Sequence, residues 1–566
     1  MSLDSSKDPA TPTTGDAPEK HPRAFEPITF VIIALLSVLG AIIGLHMITT
    51  LGVSPNTSVI GALVAMVVGR FAFLGLARMR SVHRQNLAQS AISGSTFAAA
   101  NSLLIPMAIP FVFGKPELVW PIFIGAGLGL AIDVWILYRG FGSSFLPAHA
   151  AWPPGVAAAE TIKAGDSGGR QAKILAVSGV LGFGASFAGL PMSAAGVALI
   201  GNVWALGMFG VGLLAAQYAP VLFNVKLAAL YVPHGVMIGA GLVALVQAAL
   251  LLLGRRSKKS EAKDPRGEGA EEKKAAAAKA DGSSAVLEDD PSMVDTVTIG
   301  KLRRAFSTGY LLYVGGAAVL AVLAGVYSEL SVPALIGWVL FAAFAAIVHE
   351  IIVGLAAMHA GWFPAFAVTL IFLIVGLFLG FPQVPLMVLV AYCAATGPAF
   401  ADMGYDLKAG WLLRRSHRPY SAFELEGRRQ QLLASVIGFA VAVGAVALLW
   451  QSYFTNGDIP PVSKVYADTI KAGLGDPEVL RNLLIWAIPG AIIQLIGGPK
   501  RQIGVLLATG LLVATPNAGW LVLAALALRV IWVRKRGPEG ENDAALVGAG
   551  LIAGDSINSV GRIFRG

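Results

Sequence analysis

The sequence predicts an all-α, polytopic membrane protein of about 14 to 16 transmembrane helices, in two homologous halves with broken or re-entrant helices. Three observations predict it. Of 566 residues, 56% are hydrophobic and only 13% charged, with a mean hydropathy of +0.70, too little charge to cover a soluble surface. Apolar runs near 20 residues recur from residue 28 to the C-terminus, each long enough for a ~30 Å hydrocarbon core. Short words from the first half return in the second, in order and almost in register.

Residues 1–27 are polar, Pro-rich and of mixed charge, which excludes a cleavable signal peptide and predicts a disordered cytoplasmic tail. Apolar segments then lie near 28–50, 57–78, 87–113, 118–138, 172–190, 194–217 and 221–253, so that 28–254 forms a first membrane half. Residues 255–298 are rich in charge, Ala and Gly without apolar periodicity, and predict a disordered cytoplasmic linker. The second half, 299–566, carries apolar segments near 307–327, 332–353, 363–380, 384–403, 427–450, 481–497, 503–515, 517–534 and 543–560. The net charge of +9 sits in clusters such as RMRSVHR, KLRR, LRRSHR and VRKR, which mark cytoplasmic loops and give no reason to invoke nucleic acid.

The near-repeats keep a nearly constant offset. SGSTFA (93–98) returns as TGPAFA (396–401), and His46 as His349, both 303 residues on. ETIKAG (160–165) returns as DTIKAG (468–473) after 308 residues, and MIGAGLVA (237–244) as LVGAGLIA (546–553) after 309. An internal duplication with the linker at its seam follows, an organisation characteristic of secondary transporters that bind substrate near the midplane between repeats.

The words NLAQSAISGSTFAAANSLLIP (86–106), WPPGVAAAETIKAG (152–165), GYDLKAGWLL (404–413) and GAGLIAGDSI (548–557) resemble the oligopeptide transporter (OPT) superfamily. The resemblance extends over residues 30–565. It rests on an Asn-x-x-Gln-Ser start to a broken helix, a Glu-x-x-Lys-Ala-Gly segment and an Asp-Leu-Lys-Ala-Gly turn. It implies proton-coupled uptake of small peptides or peptide-like metal chelates through the plasma (inner) membrane, and often a homodimer. The Asn-Pro-Gly-Pro-Phe and Lys-Ile-Pro-Pro-Arg words of the eukaryotic peptide branch are missing, so the chain is more similar to the yellow-stripe-like and bacterial branch.

Other chemistries find little support. The single Cys393 allows no internal disulfide, and no Cys/His spacing suits a metal, so neither cofactor nor resident metal is expected. HEIIV at 349–353 lacks the second His of a zincin helix, and no phosphate-binding GxxxxGK[ST] loop is present. GDSGG (165–169) copies a serine-protease word, but outside the β-barrel and buried Asp–His pair that such a nucleophile needs. A membrane hydrolase is therefore disfavoured. Export of another amphiphilic solute, or a channel, stays open from the residues alone.

Ionisable side chains within apolar segments are costly and often mark a transport path: His46, Asp133, His234, His349, Glu350 and Asp402. The substrate site is expected between segments 86–106 and 394–413, where small residues, hydroxyls and a Pro interrupt apolar helices and free backbone groups for a polar solute. Asn86, Gln89, Ser93, Ser95 and Thr96 would serve from one side, Thr396, Asp402 and Asp406 from the other. Asp402 leads the proton-coupling candidates, followed by His46, His349 and Glu350. The two TIKAG words predict short helices with ion pairs Glu160–Lys163 and Asp468–Lys471 at i,i+3. Such helices fit either an interfacial position or a re-entrant one lining a vestibule.

The basic-loop pattern has a direct test. In a background lacking Cys393, single cysteines at Ser5 and Ser283 should resist an impermeant thiol reagent in intact cells and react after permeabilisation. Labelling of either from outside reverses the orientation.

Overall fold

Helix α1 (Pro27–Thr50) opens with Pro at its first position, where the missing N–H is one that no helix satisfies internally. In the computed structural model it is followed in the first half by α2 (Thr57–Val68), α3 (Val82–Phe97), a π-helical segment (Ala98–Leu104), α4 (Ile105–Phe113), α5 (Val119–Gly140) and α6 (Pro153–Ala164). Then come α7 (Arg170–Phe187), α8 (Met192–Ile200), α9 (Val203–Phe223) and α10 (Val232–Leu253). The second half holds α11 (Ile299–Leu323), α12 (Val332–Ala360), α13 (Ala365–Phe378), α14 (Gln383–Ala395), α15 (Pro398–Arg414) and α16 (Tyr420–Thr455). It closes with α17 (Pro461–Ala472), α18 (Pro477–Arg501), α19 (Ile503–Leu512), α20 (Ala518–Arg536) and α21 (Pro538–Ile563). The structure describes residues 20–52, 57–68, 79–164, 170–253, 291–360, 365–417, 420–473, 477–513, 515 and 517–563. The expected tail up to residue 19, the expected linker up to residue 290 and the GDSGG word lie outside the described residues.

The protein is all-α: among the described residues there is no strand, only one isolated bridge between Ser143 and Val297. Nine helical stretches of the described residues are long and apolar enough to cross a membrane, and four shorter apolar helices accompany them. Some of the expected segments, such as 57–78, extend beyond the described residues, and others are charged or short. The 19 residues of α20 include Arg529, Arg534, Lys535 and Arg536, and the 26 residues of α21 begin on an acidic turn. Helices α8 and α19, in the expected segments 194–217 and 503–515, have only 9 and 10 residues, and the two TIKAG helices α6 and α17, expected to be short, have 12. At 1.5 Å per residue these are roughly 14–18 Å long, and none can span.

The two halves run through their helices in the same order. Shifted by the offset of its sequence word, α6 coincides with α17, and α1, α5, α7 and α10 fall on α12, α16, α18 and α21. Helix α11 has no counterpart among the described helices of the first half. Equivalent helices make reciprocal contacts across the halves: α10 packs along α18 and α21 along α7, α9 along α19 and α8 along α20, α4 on α17 and α6 on α15. The halves therefore interleave and bury each other's apolar faces.

The interruptions expected at 86–106 and 394–413 differ in kind. In the first, α3 passes without a break into the π-helical turn, where the Ile105 N–H reaches the Ala100 carbonyl. Pro106 explains the widening: it has no N–H to give, and its ring would strike the carbonyl four residues back in a regular α-helix. In the second, the chain opens fully at Thr396–Gly397, with Gly397 at φ 88° ahead of Pro398, the first residue of α15. A side chain at Gly397 would be strained and would press on His349 and Val353.

Close helix contact without a hydrophobic driving force depends on small residues. At Gly239 an added Cβ would drive into the Ala487 backbone of α18, while Gly337 on α12 has open space. Gly239→Val should lower stability by about 1–3 kcal/mol, seen as a reduced Tm in detergent, with Gly337→Ala close to wild type.

Candidate functional site

A cavity of about 470 Å³ lies where the π-helical turn meets the broken helix. Phe97, Asn101 and Ile105 line it from the first half, and Ala394, Pro398 and Tyr405 from the second. Thr369 of α13, Tyr466 of α17, Asn202, Gln502 and Thr509 add polar groups to a mainly apolar wall. Among the described residues, no Asp, Glu, Lys, Arg or His belongs to that lining. The volume is that of a small-molecule pocket, with few polar groups to orient its occupant.

Behind this wall lies a fully buried polar network joining α2, α3, α15 and α16. The Ser93 hydroxyl donates to Asp402 at 2.7 Å, the Gln89 amide donates to Asp406, and Ser58 donates to the same Asp406 oxygen at 3.1 Å. Asn86 donates to Gln89 at 3.0 Å. Gln431 donates to Ser90 at 3.0 Å and to the Asp406 carbonyl at 2.7 Å. Glu424 stands between Arg414 and Arg428, each at 2.7 Å, and Arg414 continues to Gln431 at 2.9 Å. A polar group taken out of water is costly unless it is hydrogen-bonded, which favours a cluster continuous across four helices. Among the described residues, Asp406 Oδ2 and Arg414 Nη2 of this cluster are left without a hydrogen-bond partner.

The expected residues divide accordingly. Asn86, Gln89, Ser93, Asp402 and Asp406 do come together, as the sequence places them, but they form the buried network and none lines the cavity. Ser95 donates to the Ser37 carbonyl at 2.7 Å and Thr96 to Ile92 of its own helix. Thr396 donates back to Cys393 at 2.8 Å, with His349 Nδ1 at 3.5 Å. His46 and His349, equivalent in sequence, have different surroundings: His46 faces Asp555 at 3.5 Å, and His349 Nε2 lies 2.9 Å from the Ala365 carbonyl and 3.0 Å from Thr369.

One of the two expected TIKAG ion pairs forms. Glu160 and Lys163 meet at 3.0 Å on the exposed side of α6. On α17 the expectation fails: Asp468 pairs with His234 of α10 at 3.2 Å, and Lys471 donates to the Val112 carbonyl at 2.8 Å. The interleaved packing supplies partners from other helices that sequence spacing does not reveal. Both short helices still reach the cavity, through Pro154 of α6 and Val462 and Tyr466 of α17.

Asp133 and Glu350, both singled out in the sequence, are joined in a third group by Tyr313, which was not. Asp133 of α5, Tyr313 of α11 and Glu350 of α12 are fully buried, with the Tyr313 hydroxyl 2.7 Å from a carboxylate oxygen of each acid. The other Asp133 oxygen accepts the Gly397 N–H at 2.5 Å, at the start of α15. Asn101 and Tyr405 were likewise missed as lining residues. Pro106, which widens the helix into the π-helical turn, was the signal available in the sequence for Asn101, since such turns recur at functional sites.

Burial separates the ion pairs sharply. Removing Glu424 strands two guanidinium groups, so Glu424→Ala should cost about 3–5 kcal/mol. Glu160→Ala, which breaks a pair whose side chains are 63% and 46% exposed, should cost about 1 kcal/mol or less. Thermal unfolding of the two purified variants against wild type reads this difference.

A family model described as OPT oligopeptide transporter protein matches residues 229–564, more than half of the chain. No curated protein gives a significant match.

Proposed function

Because this chain belongs to the OPT oligopeptide transporter family, we propose that it imports small peptides or peptide-like metal chelates across the plasma membrane, driven by protons. It is a multi-pass membrane protein and a transporter, not an enzyme. The substrate site in this reading is the cavity between the π-helical turn and the Gly397 break. The observation that carries it is that both interruptions of regular helix, one from each half, open onto the same uncharged space. Interrupted helices offer backbone N–H and C=O groups to a polar solute, and alternating access then needs only relative movement of the two halves.

The uncharged lining favours a solute whose own charges cancel, such as a small zwitterionic peptide or a neutral chelate, since an unpaired buried charge is expensive. The proton partner in this reading is the buried network, with Asp402 ahead of Asp406, on the same helix as the cavity-lining Tyr405 and three residues before it. The yellow-stripe-like or bacterial branch, cytoplasmic tail and linker, two homologous halves and a homodimer complete the proposal.

Labelled di- to hexapeptides and metal–chelate complexes should accumulate in proteoliposomes only when a pH gradient is imposed. Asn101→Ala and Tyr405→Phe should raise KM severalfold. Asp402→Asn should lose pH-driven accumulation while counterflow exchange continues. Equal uptake with and without the gradient in wild type would refute proton coupling, and unaltered gradient-driven uptake in Asp402→Asn would remove that residue from the role.

A further inference from the structure

Proton counting at the Asp133–Tyr313–Glu350 group leads to a site that the transport reading above does not contain. The Tyr313 hydroxyl has one hydrogen and lies 2.7 Å from both Asp133 Oδ1 and Glu350 Oε2. With both carboxyls ionised, one of these contacts would set two oxygen lone pairs against each other, and two negative charges would share an apolar interior. No described Lys or Arg forms an ion pair with either acid. One of the two carboxyls must therefore hold a proton in this arrangement.

The surroundings say which. Asp133 Oδ2 accepts the Gly397 N–H at the N-terminus of α15, where backbone dipoles favour a negative charge. Glu350 Oε1 is buried with no hydrogen-bond partner, a setting that suits a neutral acid and not a carboxylate. The hydrogen bonds then run in one direction: Glu350 O–H to Tyr313 oxygen, Tyr313 O–H to Asp133 carboxylate, with Gly397 N–H closing the far end.

We propose that Glu350, Tyr313 and Asp133 form a proton relay that holds one exchangeable proton and links its position to the helix break at Gly397. In the relay step Glu350 gives its proton to the Tyr313 oxygen as Tyr313 passes its own to Asp133. Total charge is unchanged, and the negative charge moves from Asp133 to Glu350. A neutral Asp133 no longer answers the Gly397 N–H and the positive end of α15 with a full charge, so the start of α15 loosens beside the cavity-lining Ala394 and Pro398.

The neighbouring titratable groups are otherwise engaged. His349 on α12 is turned to Thr369 and the Ala365 carbonyl, and Tyr392 on α14 donates to the Tyr313 carbonyl at 3.2 Å. Cys393 on α14 faces the Ala345 carbonyl, and Asp402 on α15 is held by Ser93. Tyr313 belongs to α11, the helix without a described counterpart, so the relay exists at one of the two equivalent interruptions.

This inference rests on the proton-coupled reading, and its test has one arm that does not. Infrared spectra of purified protein at neutral pH should contain a carboxylic-acid C=O component that shifts in D2O, is missing from Glu350→Gln and persists in Asp133→Asn. In proteoliposomes, Glu350→Gln and Tyr313→Phe should each lower pH-driven accumulation at least tenfold, with counterflow exchange still above that of empty vesicles. Absence of the band in wild type, or its survival in Glu350→Gln, overturns the stored proton. Loss of the band with undiminished gradient-driven accumulation overturns the link to transport. Wild type that ignores the gradient defeats the transport reading itself, while the infrared arm still decides where the proton sits. Monodispersity on gel filtration identifies a variant that misfolds, and Tyr313→Phe, which deletes only the hydroxyl, then supplies the decisive comparison.

Discussion

An interrupted helix inside an apolar medium must find partners for each backbone group it frees, and that constraint organises this molecule. At Gly397 the chain turns out of regular helix, and the exposed N–H is met by the buried carboxylate of Asp133. A buried carboxylate in turn needs its own partners, which brings Tyr313 and then Glu350 into the same place. A single positive-φ glycine thus fixes the position of four helices, α5, α11, α12 and α15, around the end of the cavity.

The equivalent point in the first half meets the same constraint more cheaply. The π-helical turn keeps its ladder by reaching one residue further, so few groups are released and no carboxylate is required. The shapes of the two halves therefore match while their charges do not. At the 303-residue offset Asp402 and Asp406 correspond to Ala99 and Leu103, Glu350 to Met47, and Asp133 to Val436. Asp133 belongs to the first half and the other three acids to the second, and none of the four has an acidic residue at the equivalent position. A near-symmetric scaffold thus carries its buried charge asymmetrically.

The buried network around Glu424 has a different part. Arg414 and Arg428 grip one carboxylate from α15 and α16, and the amides of Gln431 and Asn86 carry the chain of hydrogen bonds on to α3. Such a cluster adds little net stability over an apolar core but penalises any other register of these helices. It holds α3 and α15, the two helices whose interruptions form the cavity, in one relative position.

The membrane class, the positions of the apolar segments, the offset between the halves and the segments bearing the two interruptions were all legible in the chain itself. These depend on composition, period and local Pro or Gly chemistry, which act within a few residues. Asn86, Gln89, Ser93, Asp402 and Asp406 were also legible as one group, because equivalent segments of the two halves meet. Only the tertiary structure decided that these residues lie behind the cavity wall, that Asn101 and Tyr405 form the wall, that Asp468 turns to His234, and that Tyr313 bridges two acids. Each of those facts joins residues more than a hundred positions apart or depends on which side of a helix faces inward. A helix apolar on every side does not announce its facing, since lipid and protein interior are equally apolar, so direction is set by the neighbours it packs against.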